Sequence, residues 1–115
     1  MTVNIYDDIN KLENTFRNTA EFEAVKQAVI DMKSDEQALA LFKSFRDLQK
    51  SLQEKQMQGE EITGEELEYA QKTAQLAQAN PKIEKMLHTE MALSGLVEEV
   101  NRVLLKPVQA LYEGL

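Results

Sequence analysis

The chain runs for long distances without a residue that breaks helices. Its 115 residues include only 4 glycines and 2 prolines, and the first of these is Gly59. A β-sandwich or a doubly wound α/β sheet needs many more turns than so few breakers can supply. The sequence therefore favours a small number of long helices.

Apolar residues in the first half recur at every third or fourth position, as they do on one face of a helix. Asn4 and Thr19 precede the first two series and are predicted N-caps. Ser34 precedes the third and forms a capping-box pattern with Gln37. The three series are Ile5, Ile9, Leu12 and Phe16; Phe22, Val25, Val29 and Met32; and Ala38, Leu41, Phe45, Leu48 and Leu52.

The third helix is predicted to run from about Asp35 to Gln58, a length of roughly 36 Å. Gly59 is the expected C-terminal cap, because glycine adopts a left-handed conformation at little cost. Thr63 with Glu66 forms a second capping box and begins a fourth helix.

Asn80-Pro81 predicts the start of the fifth helix, with Asn80 as cap and Pro81 at the first helical position. Lys106-Pro107 is predicted to end or kink it, so that residues 108–112 form a short terminal helix. The fold class is therefore all-α: about five helices plus a short C-terminal helix in one domain, 1–115, with long helical hairpins that assemble into an oligomeric bundle.

The oligomer follows from the third and fifth helices, which carry more apolar surface than the shorter helices can cover. A homodimer or a higher homo-oligomer is the predicted state. The predicted interface consists of Leu41, Phe42, Phe45, Leu48, Leu52, Leu93, Leu96, Val97 and Val100.

The charge balance restricts the partners. With 20 acidic and 13 basic residues the formal net charge is −7. Nucleic-acid and anionic-membrane binding both require a concentrated positive surface, so neither is expected of the free chain. With no signal peptide or long apolar run, a cytoplasmic protein is expected.

Residues 59–66 hold four glutamates, a possible cation site. The acids do not alternate as they do in a calcium loop, so the segment is interpreted as a turn with a helix cap. His88 is the only histidine; it cannot complete a di-iron site, which needs two, and no nucleophile motif accompanies it. No catalytic residue, cofactor or metal site is predicted, and an enzyme is not expected.

A basic strip of Lys43, Arg46 and Lys50 lies along the third helix. It could contact RNA or an acidic protein surface. Asp47 and Glu54 interrupt it, and no exposed aromatic residue is evident for base stacking, which favours an ordinary solvated helix face.

Three segments resemble the bacterial YlbF/YmcA family, and especially its YheA-like branch: "VNIYDDINKLENTFRNTAEFEAVKQAV", "LQEKQMQGEEIT" and "NRVLLKPVQALY". The resemblance extends over nearly the whole chain. It implies an all-helical, oligomeric, cytoplasmic protein of Bacillus-like bacteria.

In that family, YlbF and YmcA form a complex with YaaT that acts in competence, sporulation and biofilm formation and is associated with endoribonuclease Y and iron–sulfur clusters. This chain contains no cysteine and supplies no thiolate for such a cluster. The resemblance therefore implies a regulatory adaptor whose partners are itself, other YlbF/YmcA-family proteins or an RNA-processing complex. The alternatives are a structural self-assembling protein without a dedicated partner, or a weakly RNA-associated factor.

Overall fold

The computed structural model describes residues 3–115, and the described chain consists of helices joined by short turns. The five helices are α1 (Ile5–Arg17), α2 (Ala20–Lys33), α3 (Glu36–Met57), α4 (Gly64–Ala79) and α5 (Pro81–Leu111). The all-α prediction is confirmed. No helix in the described range is both long and apolar enough to cross a membrane.

Most of the predicted caps are confirmed. The Asn4 side chain accepts a hydrogen bond from the amide of Tyr6, and the Thr19 hydroxyl accepts one from Phe22 at 3.2 Å. Asn80 receives the amides of Lys82 and Ile83 at 3.0 and 3.2 Å. These side chains satisfy backbone donors that the first turn of a helix leaves without partners.

The cap of α3 was predicted at the wrong residue. Asp35, not Ser34, accepts the amides of Gln37 and Ala38, at 3.0 and 3.2 Å. The Ser34 hydroxyl instead donates to the carbonyl of Asp31, in the last turn of α2. Either residue type can act as an N-cap, and the capping-box pattern does not distinguish between neighbours.

The turn after α3 has the geometry expected of a glycine cap. Gly59 has a φ of 74°. Its amide donates to the carbonyl of Gln56, and the amide of Glu60 donates to the carbonyl of Lys55 at 2.9 Å. These two hydrogen bonds form a Schellman motif, in which the residue just after the helix end, here Gly59, adopts a left-handed conformation.

Proline at position 107 does not separate a terminal helix from α5. The helix continues through Pro107 to Leu111, so the predicted short C-terminal helix is part of α5. A proline removes one backbone donor, but the helix can continue past it where the freed carbonyl is reached by water. Residues 101–115 are all exposed, so solvent surrounds the stretch of α5 that contains Pro107.

The chain forms two compact units. The central unit spans residues 28–87, and the terminal unit combines the described residues up to 27 with residues 88–115. Helices α2 and α5 contribute residues to both units.

The central unit contains the hydrophobic core. Its buried apolar residues are Ala28, Met32, Ala38, Ala77, Ile83 and Met86. Small side chains at Ala38 and Ala77, both completely buried, let the helices approach closely. Around them pack Val29, Leu39, Leu41, Phe42, Phe45 and Leu87, which are half-buried.

Helices α3 and α4 form the hairpin of the central unit. The ammonium group of Lys55 lies 2.5 Å from the carboxylate of Glu66. This ion pair joins the last turn of α3 to the first turn of α4, across the turn that contains Gly59.

Candidate interaction surface

The terminal unit has no buried side chain among its described residues. Its α1 helix carries the predicted stripe of Ile5, Ile9, Leu12 and Phe16, of which the first three are exposed and Phe16 is half-buried. The ring of Phe16 meets that of Phe22 edge-on, with centroids 5.6 Å apart. This aromatic contact links α1 to the start of α2.

Helix α5 supplies the larger apolar surface of the terminal unit. Between Leu93 and Leu111, apolar residues recur at helical spacing and no charged residue falls on the face that they share. We call this surface the α5 face; it consists of Leu93, Leu96, Val97, Val100, Val103, Leu104, Val108 and Leu111. Five of these eight residues are exposed: Val97, Val103, Leu104, Val108 and Leu111.

An apolar groove of about 280 Å³ lies between α1 and α5. Its walls are formed by Ile9, Leu12 and Phe16 of α1 and by Val97 and Val100 of α5. Glu13 is the one charged residue at its edge, and its carboxylate lies 3.2 Å from the guanidinium of Arg17. The groove thus offers contact area and almost no hydrogen-bonding chemistry.

Glu99 lies on the rim of the α5 face, whereas Arg102 lies toward the opposite side of the helix. Arg102 donates to both carboxylate oxygens of Glu99, one turn earlier on the helix. The Arg102 hydrogen bonds lower the pKa of Glu99, and the same bonds raise the pKa of Arg102. Lys106 lies seven residues after Glu99, on the same rim and about 10 Å farther along the helix.

The predicted interface residues divide between the two units. Leu93, Leu96, Val97 and Val100 lie on the α5 face. The residues predicted on α3 are all half-buried: Leu41, Phe42 and Phe45 pack on the central core. Phe45, Leu48 and Leu52 also line a groove of about 240 Å³ with Leu67, Ala70 and Ala74 of α4. The structure brings these α3 residues together with α4, and their part in an oligomer stays a prediction.

The predicted interface left out four exposed residues of the α5 face. Val103, Leu104, Val108 and Leu111 continue the spacing of Val97 and Val100, and this continuation was the available signal. Val108 and Leu111 lie beyond the point at which Lys106-Pro107 was expected to end or kink the fifth helix, whereas Val103 and Leu104 precede it.

The basic strip is exposed at all three of its residues. The Arg46 guanidinium lies 5.8 Å from the ring centroid of Phe42, one turn earlier, which is a cation–π distance. The ring of Phe42 is half-buried and packs on the core. It therefore anchors Arg46 and is not free to stack on a base.

The acidic turn acts as the predicted helix cap. The Thr63 hydroxyl accepts the amide of Glu66 at 3.1 Å. The hydrogen bond from Lys55 lowers the pKa of Glu66, and Thr63 adds to the effect. Glu66 is thus committed to a cap and an ion pair, while Glu60, Glu61 and Glu65 are exposed.

Neither the turn nor His88 belongs to a metal-binding constellation. His88 is exposed on α5. Among residues 3–115, no three histidine, cysteine, aspartate or glutamate side chains come together as ligands for one ion.

Fold and surface together define a class: a small all-α protein in which several polar side chains serve as helix caps and ion pairs, and the terminal unit presents apolar helix faces. Comparison with known proteins then defines the family. Residues 5–109 match the family described as control of competence regulator ComK, YlbF/YmcA. The chain belongs to the YlbF/YmcA family.

Relatives of similar length carry UPF0342 names. A UPF0342 protein of Lysinibacillus sphaericus is 59% identical over 98% of both chains. UPF0342 protein YheA of Bacillus subtilis is 44% identical over 97% of this chain and 96% of its own. A solved structure of a DUF964 protein from Bacillus stearothermophilus is similar with a TM-score of 0.87 at 34% identity, covering 96% of this chain and 97% of that one. The predicted resemblance, including its YheA-like branch, is confirmed.

Proposed function

We propose that this protein is a non-enzymatic helical adaptor that acts in the cytoplasm through protein–protein contacts. The observation that supports it best is the terminal unit, whose described residues include no buried side chain and which displays the α5 face and the apolar groove beside it. Soluble proteins rarely leave a large contiguous apolar patch without a partner. The family description, control of competence regulator ComK, suggests the biological process in which the adaptor acts.

The process we propose is the one that the family suggests, namely regulation of competence, sporulation or biofilm formation, linked to RNA processing. The partners would be other YlbF/YmcA-family proteins or an RNA-processing complex. Contact with RNA through Lys43, Arg46 and Lys50 is the competing function, and it is favoured only by the exposure of those three residues.

Affinity capture from a lysate of a Bacillus-like bacterium tests this proposal with a matched pair of variants. Leu104 lies on the α5 face and is 60% exposed, whereas its neighbour Leu105 lies off that face and is 52% exposed. We expect the wild type and Leu105→Glu to retain a nuclease-containing or YlbF/YmcA-family complex, and Leu104→Glu to lose it.

Two results would count against the adaptor. Recovery that ribonuclease abolishes, and that Lys43→Ala with Lys50→Ala also abolishes, would favour the RNA-associated alternative. Capture of the protein itself and nothing else, under conditions that keep the wild type folded, would favour a structural self-assembling protein.

A further inference from the structure

The groove between α3 and α4 is an apolar surface of its own, because all of its lining residues belong to the central unit. It encloses about 240 Å³. The small side chains of Ala70 and Ala74 leave this space unfilled, and Leu67 in its wall is 48% exposed. From Phe45 to Leu52 the groove extends about 10 Å, or two helical turns. Its length therefore suits the apolar stripe of a short helix.

Six exposed glutamines border the mouth of the groove, three from each helix. Gln49 and Gln71 line it directly. The chain as a whole is 29% charged, so the absence of charge from this border is a departure from the rest of the surface. Protein interfaces likewise exclude charge from around an apolar centre, whereas a nucleic acid would require cations there. The other four lie within about 40° of these two around their own helices: Gln53 and Gln56 on α3, and Gln75 and Gln78 on α4.

Two charged residues lie just outside the glutamines, at opposite corners of the groove. Arg46 is on α3 at the end nearer the core, where its guanidinium lies over the ring of Phe42. Glu68 is on α4 at the end nearer the Gly59 turn, and its carboxylate lies 3.8 Å from the ammonium of Lys72. That pair is strongly exposed and contributes little. A partner matched to both corners carries an acid at one end and a base at the other, on opposite edges.

The concave shape of the groove shows that a second copy of the same groove does not fill it. A two-fold axis through the groove would place one concavity on the other and leave a void between them. Insertion of some other part of a second copy would be a head-to-tail contact, which forms open polymers unless the rotation closes. A convex helix of a different protein fills the groove without either consequence, as ridges of one helix fill grooves between others.

We propose that the groove between α3 and α4 binds an amphipathic helix of a different protein, with uncharged flanks, an acidic residue facing Arg46 and a basic residue facing Glu68. The helix would run with its N-terminus toward the core, because this direction puts its acid in the first turn and its base in the last, where the helix dipole favours each. The proposal does not depend on the α5 face, so the chain would have a docking surface in each unit.

The test uses a stapled helical peptide of 14 residues, since an unstapled helix of this length is only marginally stable. The matched peptide has leucines at helical spacing, glutamines on both flanks, glutamate in the first turn on the α3 edge and lysine in the last turn on the α4 edge. A control peptide of the same composition has the two charged residues on the opposite edges. Fluorescence anisotropy of the labelled peptides against the full chain measures binding.

We expect the matched peptide to bind with a Kd below about 1 mM and about fivefold more tightly than the control peptide at low salt. Arg46→Gln combined with Glu68→Gln should remove this preference, because the corners then carry no charge. Equal binding of the two peptides to the wild type would overturn the assignment of the corners.

A matched pair of variants on α4 tests the groove itself. Leu67 lies in the groove, whereas Leu76 is 61% exposed on the opposite side of α4. Leu67→Glu should weaken binding of the matched peptide at least about tenfold, because a carboxylate would be buried without a partner. Leu76→Glu should leave it within about twofold. Circular dichroism checks that both variants keep the helical signal of the wild type.

Three results would overturn the proposal. The first is no binding of the matched peptide at about 1 mM, or equal weakening by Leu67→Glu and Leu76→Glu. The second is self-association of the wild type in sedimentation equilibrium that Leu67→Glu abolishes and Leu76→Glu does not, which would assign the groove to a second copy. The third is displacement of the bound peptide by a single-stranded RNA oligonucleotide. None of these results bears on the adaptor, whose test depends on Leu104 in the terminal unit.

Discussion

The two units use the same kind of helix in different ways. In the central unit, apolar stripes from several helices converge, and every buried apolar side chain of the described chain lies there. In the terminal unit, stripes of the same spacing on α1 and α5 remain half-buried or exposed. Periodicity therefore specifies that a face is apolar, but coverage by neighbouring helices decides whether that face is buried within the chain.

Polar contacts show the same contrast. In the central unit, Lys55 and Glu66 join two helices across a turn, and Lys82 lies 3.4 Å from Asp35, which joins α5 to the cap of α3. In the terminal unit, Glu13 with Arg17 and Glu99 with Arg102 are pairs within one helix. Such local pairs stabilise a helix but do not hold helices together.

The largest expected effect is in the core of the central unit. Ile83 is completely buried, so Ile83→Ala should lower the free energy of unfolding by about 3 kcal/mol, through lost burial and the cavity that remains. Leu105→Ala, in the terminal unit and off the α5 face, should change it by less than about 0.5 kcal/mol. Urea unfolding at one protein concentration measures both. Equal losses of unfolding free energy in the two variants would mean that the terminal unit contributes as much to stability as the core of the central unit.

Alanine substitutions at two glycines should change the stability of the protein in opposite directions. Gly59 has a positive φ, so Gly59→Ala should cost roughly 1–2 kcal/mol, since a side chain disfavours the left-handed region. Gly95, exposed within α5, has open space where a Cβ would be added, and Gly95→Ala should stabilise by about 0.5–1 kcal/mol. Thermal and urea unfolding of both variants would show the opposite shifts. A stabilising Gly59→Ala would contradict the Schellman turn.

Sequence reasoning succeeded wherever local chemistry decides the structure. Asn4, Thr63 and Asn80 cap helices because a short polar side chain can reach the next amides, and Gly59 ends one because it has no Cβ. Sequence reasoning failed where two neighbouring residues can each cap the same helix, as Ser34 and Asp35 can at the start of α3. It could not separate Ile83 from Leu104, because both recur at helical spacing along α5 and only tertiary packing buries one of them.

The cap of α4 should have a smaller effect than the core. Thr63→Ala removes the acceptor for the amide of Glu66 and should cost about 1 kcal/mol. Glu60→Gln, in the same turn but outside the cap, should cost almost nothing. Urea unfolding measures both. Calcium and magnesium should leave the melting temperature of the wild type unchanged, and a large cation-dependent rise would restore the metal interpretation of this acidic turn.

The smallest effect concerns the pH dependence of the ion pair between α3 and α4. The Lys55 ammonium holds the pKa of Glu66 below its ordinary value of 4.5. A carboxyl whose pKa is lowered by folding stabilises the native state fully above its unfolded pKa, and this contribution is lost as the pH falls through the folded value. The pair should therefore stabilise the protein at neutral pH and weaken below about pH 4.5, where the unfolded chain begins to bind the proton first.

Glu66→Gln should make stability fall less steeply between about pH 5 and pH 3, while Glu65→Gln, an exposed neighbour in the same turn, should follow the wild type. The measurement is urea unfolding across that range. The side chains of Lys55 and Glu66 are 31% and 30% exposed, so solvent screens the pair. The difference between the variants in how steeply stability falls with pH will therefore be small. An unchanged slope in Glu66→Gln would mean that the hairpin is held by Gly59 and the apolar contacts alone, and that the central unit differs from the terminal unit in packing and not in its ion pairs.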